Sequence, residues 1–286
     1  MVSGLGGVSS LPFPTDAYLK SPKARKFMGG QDHLAVGAAG LALASAGLTP
    51  HALGPRAGLF LAVGFIPFEG ADIDALLAGS IEGGEVSMRR FGTDGFAAVN
   101  PLLTFRCLPN MPAYHVSTCF DIQGEYFVTY PGPGQFYLAL EEALAALAAG
   151  RVTVALVGAV AHQTNFLVAH HYGRVRPAVP ASALRDGAGF VVLEEASAHQ
   201  ARGGCGRGRG QLLDFSVSYS PRDPFACELA PAESFTGMAA PPGEFGAASL
   251  PLALSGGTTG VVRHELRARD GLTARSTWEF WDESGA

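Results

Sequence analysis

Cysteine is scarce in this chain and badly spaced for chemistry. Four residues, Cys107, Cys119, Cys205 and Cys227, are scattered over 286 positions, and none forms a CxxC pair. That gives neither a zinc framework nor a disulfide-stapled scaffold, so reduced thiols in a cytoplasmic protein are the expectation. Positive charge is also short: the formal net charge is −5, and only 16% of residues are charged. Neutralising phosphates needs a basic surface, so no nucleic-acid partner is expected. The Arg-rich run "ARGGCGRGRG" at 201–210 opens no apolar helix and reads as a loop rather than a phosphate cradle. His162, His170 and His171 cluster, but their spacing without a nearby carboxylate makes a poor ligand set; no metal and no cofactor are expected.

Two targeting signals are missing as well. "MVSGLGGVSS" lacks the basic and apolar regions of a signal peptide. The Ala-rich stretch 139–160 is broken by Glu141, Glu142, Gly150 and Arg151, which leaves no membrane span. No membrane partner is expected.

What is present is layered. Residues 2–9 read as a strand entering a Gly turn, and "QDHLAVGAAGLALASA" (31–46) as a helix stopped by Gly47. "AGLFLAVGF" (57–65) and "VTVALVGAV" (152–160) are apolar runs of strand length, buried on both faces. Asp72–Leu77 predicts a short helix, and residues 100–120 start irregular and turn helical or extended near Tyr114. "GAGFVVLEEASAHQARG" (187–203) gives a strand and a short helix. Alternating strands and helices predict an α/β protein with a mainly parallel sheet. The tail differs: helical periodicity is weak after Gly203 except at "GAASLPLAL" (246–254). Residues 259–282 alternate like a hairpin turning at Asp270-Gly271.

The most informative stretch is "VTYPGPGQFYLAL" (128–140). A strand breaks at Pro131–Gly134 and a helix follows at once. Such a strand–elbow–helix is a common mount for a nucleophile, because helix N-terminal N–H groups stabilise negative charge. Here the elbow holds Pro, Gly, Pro, Gly and Gln, with no Ser, Cys or Lys. The platform carries no nucleophile.

In order, these segments resemble the β-ketoacyl synthases of the thiolase fold. The resemblance lies in "VSGLGGVSS", "DHLAVGAAGLALASAGL", "LPNMPAYHVSTCFDIQGEYFVT", "ALEEALAALAAGRVTVALVGAV" and "DGAGFVVLEEASAHQARG". It implies an α/β, αβα-layered ketosynthase-like N-terminal half at 1–203, followed by an abbreviated remnant of the C-terminal half at 204–286. A ketosynthase takes its acyl chain on an elbow cysteine. That position falls on Pro133 when counted back from Gly150, and on Pro131 when counted forward from Thr129. Of the family's two histidines, the His-Gly-Thr tripeptide does not occur, and the Gly-His position before "GAA" falls on Gly243. No catalytic residue is carried over.

The combination is similar to chain-length factors, the inactive subunits that pair with an active ketosynthase in type II polyketide systems, and more narrowly to those of aryl-polyene-type pathways. The resemblance then implies a heterodimer with an active β-ketoacyl synthase, and access to an acyl carrier protein through that complex. It nominates Gln135, Phe136 and Tyr137 for the acyl-tunnel end. It nominates Tyr114, His115, Val116, Phe120, Tyr126, Phe127 and Val128 for the dimer interface. Two other readings stay open: a stand-alone condensing or acyl-transfer enzyme with a non-standard nucleophile, and a degenerate thiolase-fold scaffold.

Overall fold

Glycine 6 decides how the first strand and first long helix meet. A Cβ placed there would lie 2.3 Å from the backbone N of Ala42, so only glycine lets the helix settle on the strand. This contact joins β1 (Val2–Val8) to α1 (Gly30–Ser45). The computed structural model describes residues 1–48, 53–68, 70–203, 208–220, 232–268 and 271–281. Cys205, Cys227, Asp270, the centre of the Arg-rich run and the expected domain boundary at 203/204 lie at or beyond the edges of these segments, outside the described residues.

After α1 come β2 (Ala57–Val63), α2 (Gly70–Ser80), a small hairpin of β3 (Ile81–Glu82) and β4 (Glu85–Val86), and short helices α3 (Met88–Arg90) and α4 (Leu103–Cys107). Next are α5 (Met111–Phe120), β5 (Tyr126–Thr129), α6 (Gln135–Ala148), β6 (Val154–Ala161), α7 (Phe166–Gly173), β7 (Gly187–Glu194) and α8 (Ala196–Ala201). The second half supplies β8 (Gly210–Tyr219), β9 (Ala232–Thr236), α9 (Ser249–Leu254), β10 (Gly260–Arg267) and β11 (Leu272–Phe280). Residues 111–120 are fully helical.

Nine strands form one sheet in the order β5-β2-β6-β7-β1-β8-β11-β10-β9. Only β5–β2 and β2–β6 pair in parallel; the other pairings are antiparallel. The expectation of a mainly parallel sheet therefore needs correction. Among the first five strands, β1, β2, β5 and β6 run one way and β7 runs against them. An apolar run reports burial on both faces, and helices covering both sides bury a reversed strand equally well. β1 and β8 lie antiparallel at the centre, each flanked by the last strand of its own half, β7 and β11. This is the αβα thiolase-type plan with a reduced second half.

The layers follow the strand period of two. On β2, Leu59, Leu61 and Val63 join the cluster formed with α1 and α5. Phe60 and Ala62 face the opposite cluster, with α6 and the apolar residues of α9, β10 and β11. α6 is thus enclosed by both halves, and seven of its residues, from Phe136 to Leu147, are buried. Among the described residues no helix is long and apolar enough to cross a membrane.

Candidate functional site

The elbow lies where the sequence places it. β5 ends at Thr129, Gly132 takes a φ of +112° that side chains rarely adopt, and Gly134 caps α6. Pro131 and Pro133 sit half-buried between strand and helix, and neither offers a nucleophilic atom. Thr129 Oγ1 donates a hydrogen bond to Gln135 Oε1, tying the strand end to the first helical residue.

The second half packs against the start of the helix. A Cβ on Gly134 would come 2.9 Å from Leu272 Cδ2, with Ala268 Cβ at 3.5 Å. Both side chains belong to the β10–β11 hairpin region and are buried. An apolar contact from the second half thus lies beside the N-cap of α6, while a Cβ on Gly132 would meet nothing within 4 Å.

Gly243, where the resemblance leads one to expect the second histidine, is tightly packed. Gly243 has a φ of +132°, and a Cβ there would meet Arg185 Cγ at 2.6 Å and the Ala183 carbonyl oxygen at 2.8 Å. The neighbouring segment is stitched down: Glu244 N donates to Ala183 O at 2.8 Å, and Arg185 N to Glu244 O at 2.9 Å. An imidazole at 243 would require moving Arg185 and this ladder. Cys119, the cysteine nearest the elbow in sequence, is buried in α5, and burial pushes its thiol up to about 11. A thiol held protonated and enclosed is no nucleophile.

Two polar clusters escape sequence reasoning. In the first, Gly246 N donates to Glu244 Oε1 at 2.8 Å, Tyr172 Oη donates to the same oxygen at 3.4 Å, and Gln163 Nε2 donates to Glu244 O at 3.0 Å. Burial raises the Glu244 carboxyl; it raises Glu233 to about 8, with the Glu244 charge adding to the effect. These groups come from β9, α7, the segment after β6 and the segment before α9, so no spacing announces them. In the second, Tyr137 Oη is hydrogen-bonded to His264 Nδ1 at 2.7 Å and to Ser276 Oγ at 3.0 Å, and Trp278 Nε1 donates to Ser276 Oγ at 2.9 Å. All four side chains are buried. The cluster joins α6 to β10 and β11.

The remaining nominated residues divide by exposure. Phe136 and Tyr137 are each 1% exposed, inside the chain's own core, whereas Gln135 is half-buried at the elbow. His115, Val116 and Phe120 point into the interior, the last packed edge-to-face on Tyr18 at 5.6 Å. Tyr114, on the same helix, is 52% exposed. β5 is an outermost strand of the sheet, with Tyr126 exposed and Phe127 and Val128 half-buried. His162 is buried against Asp186, 3.6 Å from its carboxylate. His170 and His171 lie in the last turn of α7, apart from that pair.

Solved structures share this architecture. The AntDE:AntF complex, described as a type II PKS acyl-carrier protein with its ketosynthase bound to the hexaketide, aligns over 98% of both chains with a TM-score of 0.70 and 13% identity. The ishigamide ketosynthase/chain length factor aligns over 98% of this chain and 99% of that one, with a TM-score of 0.67 and 16% identity. A β-ketoacyl synthase from Burkholderia phymatum STM815 aligns over 79% of this chain but 65% of its own length, with a TM-score of 0.54 and 21% identity. By sequence alone, no curated protein matches. The sequence does match the β-ketoacyl synthase N-terminal domain over residues 6–199, which is more than half of the chain. This chain belongs to the β-ketoacyl synthase family.

Proposed function

We propose that the chain is a non-catalytic, chain-length-factor-type subunit that pairs with an active β-ketoacyl synthase and shapes its acyl tunnel. The observation that carries this reading is the elbow: Pro131 or Pro133 stands where the nucleophile would be, and Leu272 and Ala268 pack against the N-cap of the helix. Arg185 at the Gly243 position adds to it. A fold so well kept around an inert centre serves through its surface. The open edge of β5 is the surface on offer, since an unpaired strand edge invites a partner strand. Tyr126, Phe127 and Val128 lie on that edge, and Tyr114 extends it.

In the pair, the partner's cysteine takes the acyl group, and an acyl carrier protein delivers extender units to the complex. Residues 1–203 provide the ketosynthase-like domain, and 204–286 the reduced second half that packs against the elbow helix. The pathway class that fits is type II polyketide elongation, of aryl-polyene or fatty-acid-like products. The full-length alignment with the ishigamide ketosynthase/chain length factor supports it. Co-expression with a co-encoded ketosynthase, followed by size-exclusion chromatography and intact-mass analysis with an acyl-carrier substrate, tests the reading. A one-to-one complex acylated only on the partner is expected. A covalent acyl adduct on this chain would sink it.

A further inference from the structure

The two halves of the sheet finish their outer faces differently. In the first half, β2 and β7 are buried along their whole length and β6 at seven of eight positions. Apolar layers cover both sides of these strands. In the second half, β10 and β11 alternate between buried and exposed. Val262 and Leu266 on β10, and Ala274 and Trp278 on β11, join the cluster with α6 and α9. Their neighbours point the other way.

That other face is polar and ordered by register. One row across β9, β10, β11 and β8 reads Ser234, Glu265, Arg275, Ser216. The next reads Thr236, Arg263, Thr277, Asp214. Glu265 lies directly opposite Arg275, whose Nε is 3.7 Å from Asp214 Oδ2, and Gln211 Nε2 donates to Glu279 Oε2 at 2.8 Å. Arg263, Arg267 and Arg275 are matched in number by Asp214, Glu265 and Glu279, so the face has no net charge to steer a partner of either sign. Its large exposed apolar side chains are Val261 and Leu213, and β11 with Glu279 lies between them. Scattered apolar residues of this kind make no patch.

We infer that this face is finished for water, and that no partner completes the reduced second half, in the isolated chain or in any complex it enters. A face left open for a partner's helices would carry the apolar side chains that such a layer buries. Interfaces that complete a fold resemble a core cut in half and are depleted in charge. Covering this charge ladder would desolvate ion pairs that return little at a surface. One wet face with polar-out alternation is the pattern of a half-covered antiparallel sheet. Partners therefore meet the chain elsewhere. That a ketosynthase is among them rests on the function proposed above; the character of the face does not.

The test is maleimide labelling of the full chain carrying Arg263→Cys or Thr273→Cys, two exposed outer-face positions. Wild type gives the background of the native cysteines, urea-unfolded protein gives the rate of an open thiol, and intact mass counts the label. Each variant is labelled alone, co-expressed with the co-encoded ketosynthase, and with holo carrier protein added. Each thiol should keep its rate within about twofold across the three conditions, whereas Tyr126→Cys on the β5 edge should be shielded about tenfold in the heterodimer, where contact excludes water. Shielding of either outer-face thiol by about tenfold in a complex would overturn the inference and put a partner on this face. Slow labelling of the isolated chain that recovers on dilution would overturn it in favour of self-association. A heterodimer in which all three thiols stay open leaves the inference standing and moves the interface away from β5. If no heterodimer forms, the proposed function fails, and the inference stands on fast outer-face labelling of the isolated chain and falls on slow labelling.

Discussion

Tyr137 and His264 stand 127 residues apart in sequence, yet Tyr137 Oη meets His264 Nδ1 at 2.7 Å in the buried centre. Tyr137 comes from the helix behind the elbow and His264 from the second half, so one hydrogen bond joins the two. Burial lowers His264 to about 4, so the imidazole is neutral at pH 7 and can accept from the phenol. Tyr137→Phe leaves His264 and Ser276 without that hydroxyl, and an unsatisfied buried polar group costs about 1–3 kcal/mol. Urea denaturation should show that loss in a single transition. Two separated transitions would mean that the halves unfold independently.

Asp32 gives a pH-dependent prediction. Its side chain is 2% exposed, and burial raises the carboxyl from 3.8 to about 7 despite the hydrogen bond from Gly29 N. Between those values the folded chain holds a proton that the unfolded chain has released, so this group's contribution falls as pH rises through the window. His115 and His264, both lowered to about 4 by burial, act in the opposite direction and lose their contribution as pH falls below 6.5. Asp32→Asn keeps an acceptor for Gly29 N and removes one titration, while both histidines remain. The stability of the variant relative to wild type should therefore rise steadily from pH 4 to pH 7.5. Parallel stability–pH curves would refute the assignment.

Much of the frame is legible because burial leaves an apolar record. α1, β2, α6 and β6 announce themselves as periodic or continuous apolar runs. Direction is not recorded in that way, so β7 could not be recognised as reversed. β8 is half-exposed along most of its length and begins at Gly210, so its alternation is faint. The emptiness of the elbow is legible residue by residue. The packing there and at Gly243 is not: Leu272 against Gly134 and Arg185 against Gly243 are contacts between distant segments, visible only once the chain is folded.

Under the proposed function, those two contacts make the loss of activity more than one missing atom. Pro133→Cys would put a thiol beside the N-terminus of α6, yet Leu272 against Gly134 and Arg185 against Gly243 would remain. The variant should yield no chain-extension product from malonyl and acyl carrier proteins when assayed by mass spectrometry. Condensation by this single substitution would show that the centre is still open to substrate.

The β5 edge predicts the behaviour of the assembly. Tyr126 is 49% exposed on the outermost strand, so Tyr126→Glu places a charge where a partner strand would lie with little effect on the core. Buried unpaired charge at an interface is costly. Size-exclusion chromatography of the co-expressed pair should show dissociation, while the melting temperature of the isolated chain stays within about 2 °C, as for a surface substitution. A stable complex carrying Tyr126→Glu would move the interface elsewhere.

Chain-length control can be separated from stability at adjacent residues. Phe136 is enclosed in the chain's own core, so Phe136→Ala opens a cavity and should cost about 3–5 kcal/mol. Any change in product from that variant is confounded by unfolding. Gln135 is half-buried at the mouth of the elbow, held by Thr129 Oγ1, and is the nominated tunnel residue whose side chain reaches the surface. If it contributes to the end of the partner's acyl tunnel, added bulk should exclude the last carbons, since overfilling a fitted cavity costs about 1–3 kcal/mol. Gln135→Trp should shorten the product of the reconstituted complex, and Gln135→Ala should lengthen it or broaden its distribution, with condensation retained in both. Chromatography of released products reads the outcome directly. An unchanged distribution in both variants, with the heterodimer intact, would place the tunnel end away from this elbow.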